Sequence, residues 1–472
     1  MTPRSFRSRA WPQLLLAATV TLLLAPSFAS NRWGVAPEGR FDRFQEDTEA
    51  HVLGRLVLSR DRGILAAGGL TGIGLDAPPP AGKRTWPDAK VARAQYRAYL
   101  RGETFGHFSP YFSQPGGQAM LFGLLDRVLP LPPARRLAIY RGIDALLTAA
   151  VLGLVVVWFQ LELGWAAAAI AAASMLASLW LTIFGRNLWW SLWAFYLPLA
   201  MMMVWLRRGG AGAGRRFRCV GVTFLAVSLK CWFNGYEFMT TTLVMMAVPF
   251  VYYALVAAPG WRVTLRAAAG MAAAAAAAIA LSLALLSVQI GSASGAWSAG
   301  PRHLRSSLEH RSVGHSAAPG EIRKANANAT RGELLRMHLR TTFSELAGAP
   351  GGGEDPAPAS GRAVSFGALV VLFAASSALL LALGFSAPAG EEARRGRALV
   401  AATWFSMLAP LSWLVLFRAH SARHLHVNPI TWQMPFTLFG FALVGATLAA
   451  LVRSVLSSRF GPRIARTPIA DE

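Results

Sequence analysis

Trp11-Pro-Gln-Leu-Leu-Leu-Ala-Ala-Thr-Val-Thr-Leu-Leu-Leu-Ala-Pro-Ser-Phe-Ala29 is followed shortly by Glu46-Asp47-Thr48-Glu49-Ala50-His51. The first stretch is apolar and long enough to cross a hydrocarbon core of about 30 Å. The second sets three acids and an imidazole just beyond it. Several further apolar runs of similar length follow residue 136. Of the 472 residues, 54% are hydrophobic and only 15% charged, against about 25% charged in a typical soluble domain. The chain therefore reads as an all-α polytopic membrane protein. A carboxylate cluster beside the first span predicts chemistry at a membrane surface.

The net charge of +23 would point to nucleic acid in a soluble protein. Here most Arg residues flank apolar runs, where they set orientation and meet anionic lipid. With no soluble basic domain and no base-stacking platform, nucleic-acid binding is excluded. Cys219 and Cys231 fall near opposite ends of one span, too far apart for a disulfide. No Cys/His spacing suits zinc. Arg4, Arg7 and Arg9 precede the first apolar run, and Ser27-Phe28-Ala29 has the look of a signal-peptidase site. An uncleaved first span is the favoured expectation, since the rest of the chain is already membrane-embedded.

Ten spans are expected: Trp11–Ala29, Leu137–Leu161, Trp165–Phe184, Leu188–Leu206, Cys219–Phe233, Phe238–Ala258, Ala267–Ile290, Ala363–Phe385, Ala398–Phe417 and Trp432–Val452. With the N-terminus inside, the inner connections carry Arg207, Arg208, Arg215, Arg216 and Arg218, then Arg262 and Arg266, then Arg394, Arg395 and Arg397. The tail adds Arg453, Arg459, Arg463 and Arg466, whereas the short outer connections hold only Arg186, Arg418 and Arg423. This asymmetry obeys the positive-inside rule. The organisation is then 1–30 (inner terminus and first span), 31–136 (first outer loop), 137–290 (spans two to seven), 291–362 (second outer loop), 363–452 (spans eight to ten) and 453–472 (basic inner tail).

Both outer loops carry shorter amphipathic stretches. Gln118–Leu131 is too short to cross and predicts an interfacial or re-entrant helix. In Glu46–Ser59, Val52, Leu53 and Leu56 share a helical face, which predicts a helix lying along the membrane surface. Leu335, Leu339, Phe343 and Leu346 predict another over Arg331–Leu346, while Gly348–Gly361 is Gly/Pro-rich and predicts flexible chain.

On a helix, Asp47 and His51 are four apart and share a face. A shielded carboxylate, Asp47 or Glu49, can serve as general base for a hydroxyl, or hold a divalent cation through oxygen. A plainer reading is that acids favour a helix start because of its dipole. Arg186-Asn187 and Lys230…Asn234-Gly-Tyr236-Glu237 lie at outer span ends, where ionisable groups face a cavity or a partner. Lys230 and Glu237 are also placed to pair with each other, and Arg141 with Asp144. Arg418, His420, Arg423, His424 and His426 crowd one connection, a pattern suited to a phosphate or to anionic headgroups. Gln114 and Gln118 flank Pro115-Gly116-Gly117 and are suited to a sugar. The second loop adds His303, Arg305, His310, Arg311, His315, Arg323 and Lys324.

Taken together, a long outer loop after the first span, Asp47-Thr48-Glu49 soon after it and amphipathic segments before the second span resemble the GT-C superfamily of glycosyltransferases. The resemblance covers about the first 210 residues by architecture and the later spans only loosely; the acids are not adjacent, as they are in better-known members. It implies a multispanning enzyme, here in a bacterial inner (plasma) membrane, taking a sugar from a polyprenyl-phosphate carrier on the outer face. Glycan, lipid or protein would be the acceptor, with membrane lipids around it and no cofactor beyond an optional divalent cation. Asp47, then Glu49, would act as base or orient the acceptor. Arg418, Arg423, His426 and Lys230 would hold the departing lipid phosphate. His51, Gln114, Gln118, Arg186, Asn187, Asn234, Tyr236 and Glu237 would line the acceptor or sugar. The competing expectations are a lipid-linked-glycan ligase or polymerase, a non-enzymatic lipid or glycolipid transporter, and an envelope scaffold.

Overall fold

The computed structural model describes residues 11–78, 88–207, 213–258, 260–312, 329–344, 364–385 and 390–460. Chain order begins with α1 (Trp11–Ser30), α2 (Glu38–Arg43), α3 (Glu46–Arg62), β1 (Gly72–Leu75), α4 (Ala89–Arg101), β2 (His107–Pro110) and α5 (Gly117–Val128). The middle of the chain contributes α6 (Pro133–Leu163), α7 (Trp165–Leu176), α8 (Leu179–Phe184), α9 (Leu192–Arg207), α10 (Ala213–Asn234), α11 (Met239–Ala257), α12 (Trp261–Ser294) and α13 (Ala299–Ser312). It ends with α14 (Arg331–Arg340), β3 (Thr342–Ser344), β4 (Val364–Ser365), α15 (Phe366–Phe385), α16 (Glu391–Ser406), α17 (Leu408–Leu416), α18 (Arg418–Arg423), α19 (Ile430–Gln433) and α20 (Phe436–Phe460).

Seven helical segments among the described residues are long and apolar enough to cross a membrane, α16 and α17 forming one of them across a break at Met407. The chain is a helical integral membrane protein. The expected third, fourth and fifth spans correspond to shorter apolar helices: α7, α9 and the Cys219–Asn234 part of α10. The third is divided where Ser178 caps α8, its hydroxyl accepting the Leu181 amide at 3.2 Å. Cys219 and Cys231 are both free.

Small residues set the helix spacing, as they do where lipid supplies no hydrophobic drive between helices. α1 lies along α6, and α20 along α7. A Cβ on Gly445 would sit 2.4 Å from the Ala166 carbonyl oxygen, so only glycine permits that approach of α20 to α7. Deep in the bundle, Phe159 packs edge to face on Trp158 and Phe439 at 5.6 and 5.2 Å between centroids, and Trp158 and Phe439 lie tilted at 5.9 Å.

The segment between α1 and α6 folds into a unit of its own. β1 pairs antiparallel with β2, Gly72 opposite Pro110 and Leu75 opposite His107. α4 is closed at both ends: Asp88 accepts the Val91 amide at 2.8 Å, and Gly102 takes a left-handed φ of 74°. α3 does not expose one face, as the single apolar stripe suggested. Thr48 through Ser59 are all buried, because α4, α5 and β1 enclose the helix on its remaining sides. Even Arg55 is fully buried, its guanidinium donating to the Ile64 and Ala66 carbonyls. Asp126 on α5 fastens the unit to the bundle, accepting from Arg60 Nε at 2.6 Å, Tyr99 OH at 2.6 Å and Tyr140 OH on α6 at 3.0 Å. Burial alone would raise its carboxyl; the Arg60, Tyr99 and Tyr140 bonds outweigh that and hold it below the usual range.

In the second loop, Thr330 and Glu333 form a reciprocal capping box at the start of α14. The predicted helix over Arg331–Leu346 stops at Arg340, and Thr342–Ser344 pair with Val364–Ser365 instead. Gly348–Gly361, His315, Arg323 and Lys324 lie outside the described residues.

Candidate functional site

The acids of Glu46-Asp47-Thr48-Glu49 occupy the first turn of α3, which suits the partial positive charge of a helix start. Helical geometry sends them in different directions. Glu49, 3% exposed, turns inward. Its carboxylate takes both forks of the Arg141 guanidinium (Nε at 3.2 Å), the Tyr96 hydroxyl and the Leu188 amide at 3.3 Å. Burial alone would raise its carboxyl; Arg141, Tyr96 and Leu188 reverse that and hold it below its ordinary value. The Tyr96 phenol is in turn pushed well up, by burial and by the adjacent carboxylate. A carboxylate so fully hydrogen-bonded is a weak base and a strong anchor. It joins α3, α4, α6 and the turn before α9. This also corrects the local pairing expected for Arg141. Asp144 instead accepts from Trp193 Nε1 at 3.0 Å and Ser191 Oγ at 3.4 Å.

Beside this anchor opens a small cleft lined by Asp42, Glu46, Glu49, Tyr96, Arg141, Arg186 and Asn187, with Phe41, Phe44 and Ile183 as its apolar walls. Arg186 closes one edge, bonding Asp42 and the Phe41 carbonyl at 3.1 Å each and lying 3.9 Å over the Phe41 ring. Glu46 lines the cleft and makes no hydrogen bond or ion pair among the described residues. Burial raises its carboxyl, with Arg93 and Arg43 pulling only part of the way back. Asp47, the acid expected first as the base, is half-buried and is not among the residues lining the cleft; one of its oxygens accepts the Thr48 amide at 2.9 Å. Glu46, Tyr96 and Arg141 are thus members that sequence reasoning left out. The helix spacing of 46 and 49 was legible, but their separation into a cleft-facing and a buried acid was not.

The remaining candidates divide. His51 is buried between Tyr111 and Trp189, with ring centroids at 4.9 and 5.1 Å, and burial lowers its pKa to about 3. Gln118 Nε2 donates to the Trp189 carbonyl at 3.3 Å, and Asn234 donates to that of Trp190. Gln114 is buried against the Gly235 turn, where a Cβ on Gly235 would come within 2.5 Å of it. Asn187 caps its own turn, accepting the Trp189 amide at 3.0 Å. Tyr236 bonds Ser282 at 3.1 Å. These side chains bind loop to bundle.

Lys230 is fully buried. Its ammonium donates to the backbone carbonyls of Gly235 at 2.9 Å and Glu237 at 2.6 Å, with Phe195 5.0 Å away. The Glu237 carboxylate faces His420 Nε2 at 3.3 Å. His420, His424 and His426 follow one another at centroid distances of 4.4 and 5.9 Å. Arg418 reaches the Ala329 carbonyl at 3.0 Å, and α18 packs beneath α13 and α14. The cationic connection therefore lies at the same end of the bundle as the cleft, linked through Asn187, Trp190, Asn234 and Glu237. Among the described residues, no group of three His, Cys, Asp or Glu side chains is placed to hold a metal ion. Compared with known proteins, the chain matches no family model, no curated protein and no solved structure.

Proposed function

We propose that this protein is a membrane glycosyltransferase of the GT-C kind, with ten spans and its cleft on the extracytoplasmic side. It would move a sugar from a polyprenyl-phosphate carrier to an acceptor hydroxyl. The observation that carries this reading is the cleft itself: a carboxylate without a hydrogen-bond partner among the described residues, two guanidiniums and aromatic walls. The acceptor O–H proton passes to a carboxylate at the start of α3. The acceptor oxygen bonds to the anomeric carbon as the bond from that carbon to the phosphate oxygen breaks. The lipid phosphate leaves with its charge met by cations of the 418–426 connection, which the same end of the bundle supplies.

Three neighbouring acids take different parts in this proposal. Glu49 positions Arg141 and the α3 terminus. Glu46 lines the cleft, and burial raises its carboxyl, which makes it a stronger base than an ordinary glutamate. Asp47, in the same helical turn as Glu46, orients the acceptor or shares the base role. The test is transfer from a defined polyprenyl-phosphate sugar by purified Glu46→Gln and Asp47→Asn variants. Loss of a general base costs about 10²–10⁴-fold in rate. Full activity in both variants would remove the proposed mechanism.

A further inference from the structure

α4 reads Ala89-Lys90-Val-Ala-Arg93-Ala-Gln-Tyr96-Arg97-Ala-Tyr-Leu-Arg101, with no acid anywhere in it. Its buried side, Ala92, Gln95, Ala98 and Tyr99, packs on α3. Lys90, Arg93, Arg97 and Arg101 are all exposed, and helical spacing sets them within about 80° of one another on a single face. Arg93, Arg97 and Arg101 follow every fourth residue, where like charges repel. Lys90 stands in the first turn, where a cation opposes the helix dipole. Among the described residues only Arg101 meets an acid, Glu103 at 3.6 Å. Leu100, 42% exposed, is the only large apolar side chain that α4 exposes, so this helix lays no apolar face on lipid. A solvated helix face ordinarily mixes both signs of charge. α4 keeps a ridge of one sign, about 16 Å long, against a local cost in stability.

The ridge runs into the cleft. Tyr96 forms part of the cleft wall and bonds Glu49, and Arg93 stands one turn before it on the side of the ridge. Arg93 is near enough to Glu46 to pull its carboxyl down. So is Arg43, an exposed residue at the end of α2, the helix whose Phe41 and Asp42 line the same cleft. The cations of α2 and α4 therefore continue the mouth of the cleft outward.

We propose that this ridge docks an anionic glycan, whose carboxylate or phosphodiester groups lie along Arg43, Arg93, Arg97 and Lys90 while its end enters the cleft. The inference rests on the transfer reading of the cleft and narrows the acceptor to a charged glycan. A ridge one helix wide fits an extended chain that carries charge along its length; a folded acidic protein needs a broader face. The ridge touches no reacting atom. It holds the acceptor by charge-assisted hydrogen bonds and speeds encounter by electrostatic steering.

The test is fluorescence anisotropy with the full-length protein in phosphatidylcholine nanodiscs. The probes are labelled oligogalacturonate, an oligomer of glycerol phosphate, and a neutral malto-oligosaccharide of matched length. The wild type should bind one or both anionic oligomers and not the neutral one, and added salt should weaken the binding. Which anion binds tells a uronate acceptor from a phosphodiester one. Lys90→Gln/Arg93→Gln/Arg97→Gln, a change at exposed positions, should weaken binding about tenfold, as the loss of three exposed charge contacts implies. Arg262→Gln/Arg266→Gln, in the arginine-rich connection at the opposite end of the bundle, should leave it unchanged. Glu46→Gln should keep the binding whatever it does to transfer, so failure of the surface and failure of the transfer mechanism are read apart. Equal binding of neutral and anionic oligomers would overturn the proposal, as would no binding of either anion or unchanged binding in the triple variant. Phosphatidylglycerol retained by the wild type on native mass spectrometry and lost from the triple variant would assign the ridge to the membrane surface and overturn it too.

Discussion

Removing the Arg141 guanidinium, as in Arg141→Met, leaves the Glu49 carboxylate 3% exposed, with only the Tyr96 hydroxyl and the Leu188 amide as donors. Breaking a buried ion pair from one side costs about 3–5 kcal/mol, because the abandoned charge stays desolvated. Glu49→Gln/Arg141→Met removes both charges together, and replacing both members of such a pair is often close to neutral. The double variant should therefore be more stable than Arg141→Met alone, and the cycle strongly non-additive. Apparent melting of the purified protein, followed by loss of the monodisperse peak after heating, reads the order.

The pH dependence carries a second sign. In the wild type the Glu49 carboxyl is held below its unfolded value. Its stabilisation is present above the ordinary carboxylate range and is lost as pH falls through the depressed value. In Arg141→Met only the Tyr96 and Leu188 bonds still oppose burial, so the carboxyl rises relative to the wild type and the variant's deficit should shrink as pH is lowered from 7 toward 5. Additive single effects, or a deficit that grows toward pH 5, would refute the buried-pair argument.

At the arginine-rich end, Glu162 accepts from Arg207, from Tyr253 at 2.8 Å and from Tyr252 at 3.3 Å. Tyr253→Phe should lower stability by about 1.5–3 kcal/mol, the usual worth of a hydrogen bond to a charged group, in the same melting assay. Tyr252→Phe, which loses the longer bond, should cost less. His51 is kept neutral by burial, with a pKa of about 3 against 6.5 for the free side chain. Its folded value is depressed, so stability is lost as pH falls from about 6.5 toward 3. In His51→Phe the melting temperature should vary less over that interval; an unchanged slope would contradict a buried neutral imidazole.

How much of this was legible in the residues differs from element to element. α1, α6, α12 and α15 are apolar over a membrane's thickness, and that property is local to each segment. The start of α3 was equally legible, since three acids in a first turn answer the helix dipole. The role of each acid was not. Glu49 meets Arg141, 92 positions away, and no periodicity connects those two residues. The amphipathic pattern of Glu46–Ser59 was read correctly as a helix and incorrectly as a surface one. A single stripe of Val52, Leu53 and Leu56 does not disclose that α4, α5 and β1 cover the other sides.

Length, hydropathy and charge asymmetry by themselves determined a helical membrane protein, most of its long helices, and the gathering of acids near one end. These follow from transfer free energies and helix propensities, which depend on residues close together in the chain. Only the tertiary structure decided that Arg141 binds Glu49 and not Asp144, that Lys230 closes a turn through two carbonyls, and that Glu46 is the acid lining the cleft. A buried charge takes whichever partners the packing of distant segments brings within reach, and that choice is made by the assembled bundle.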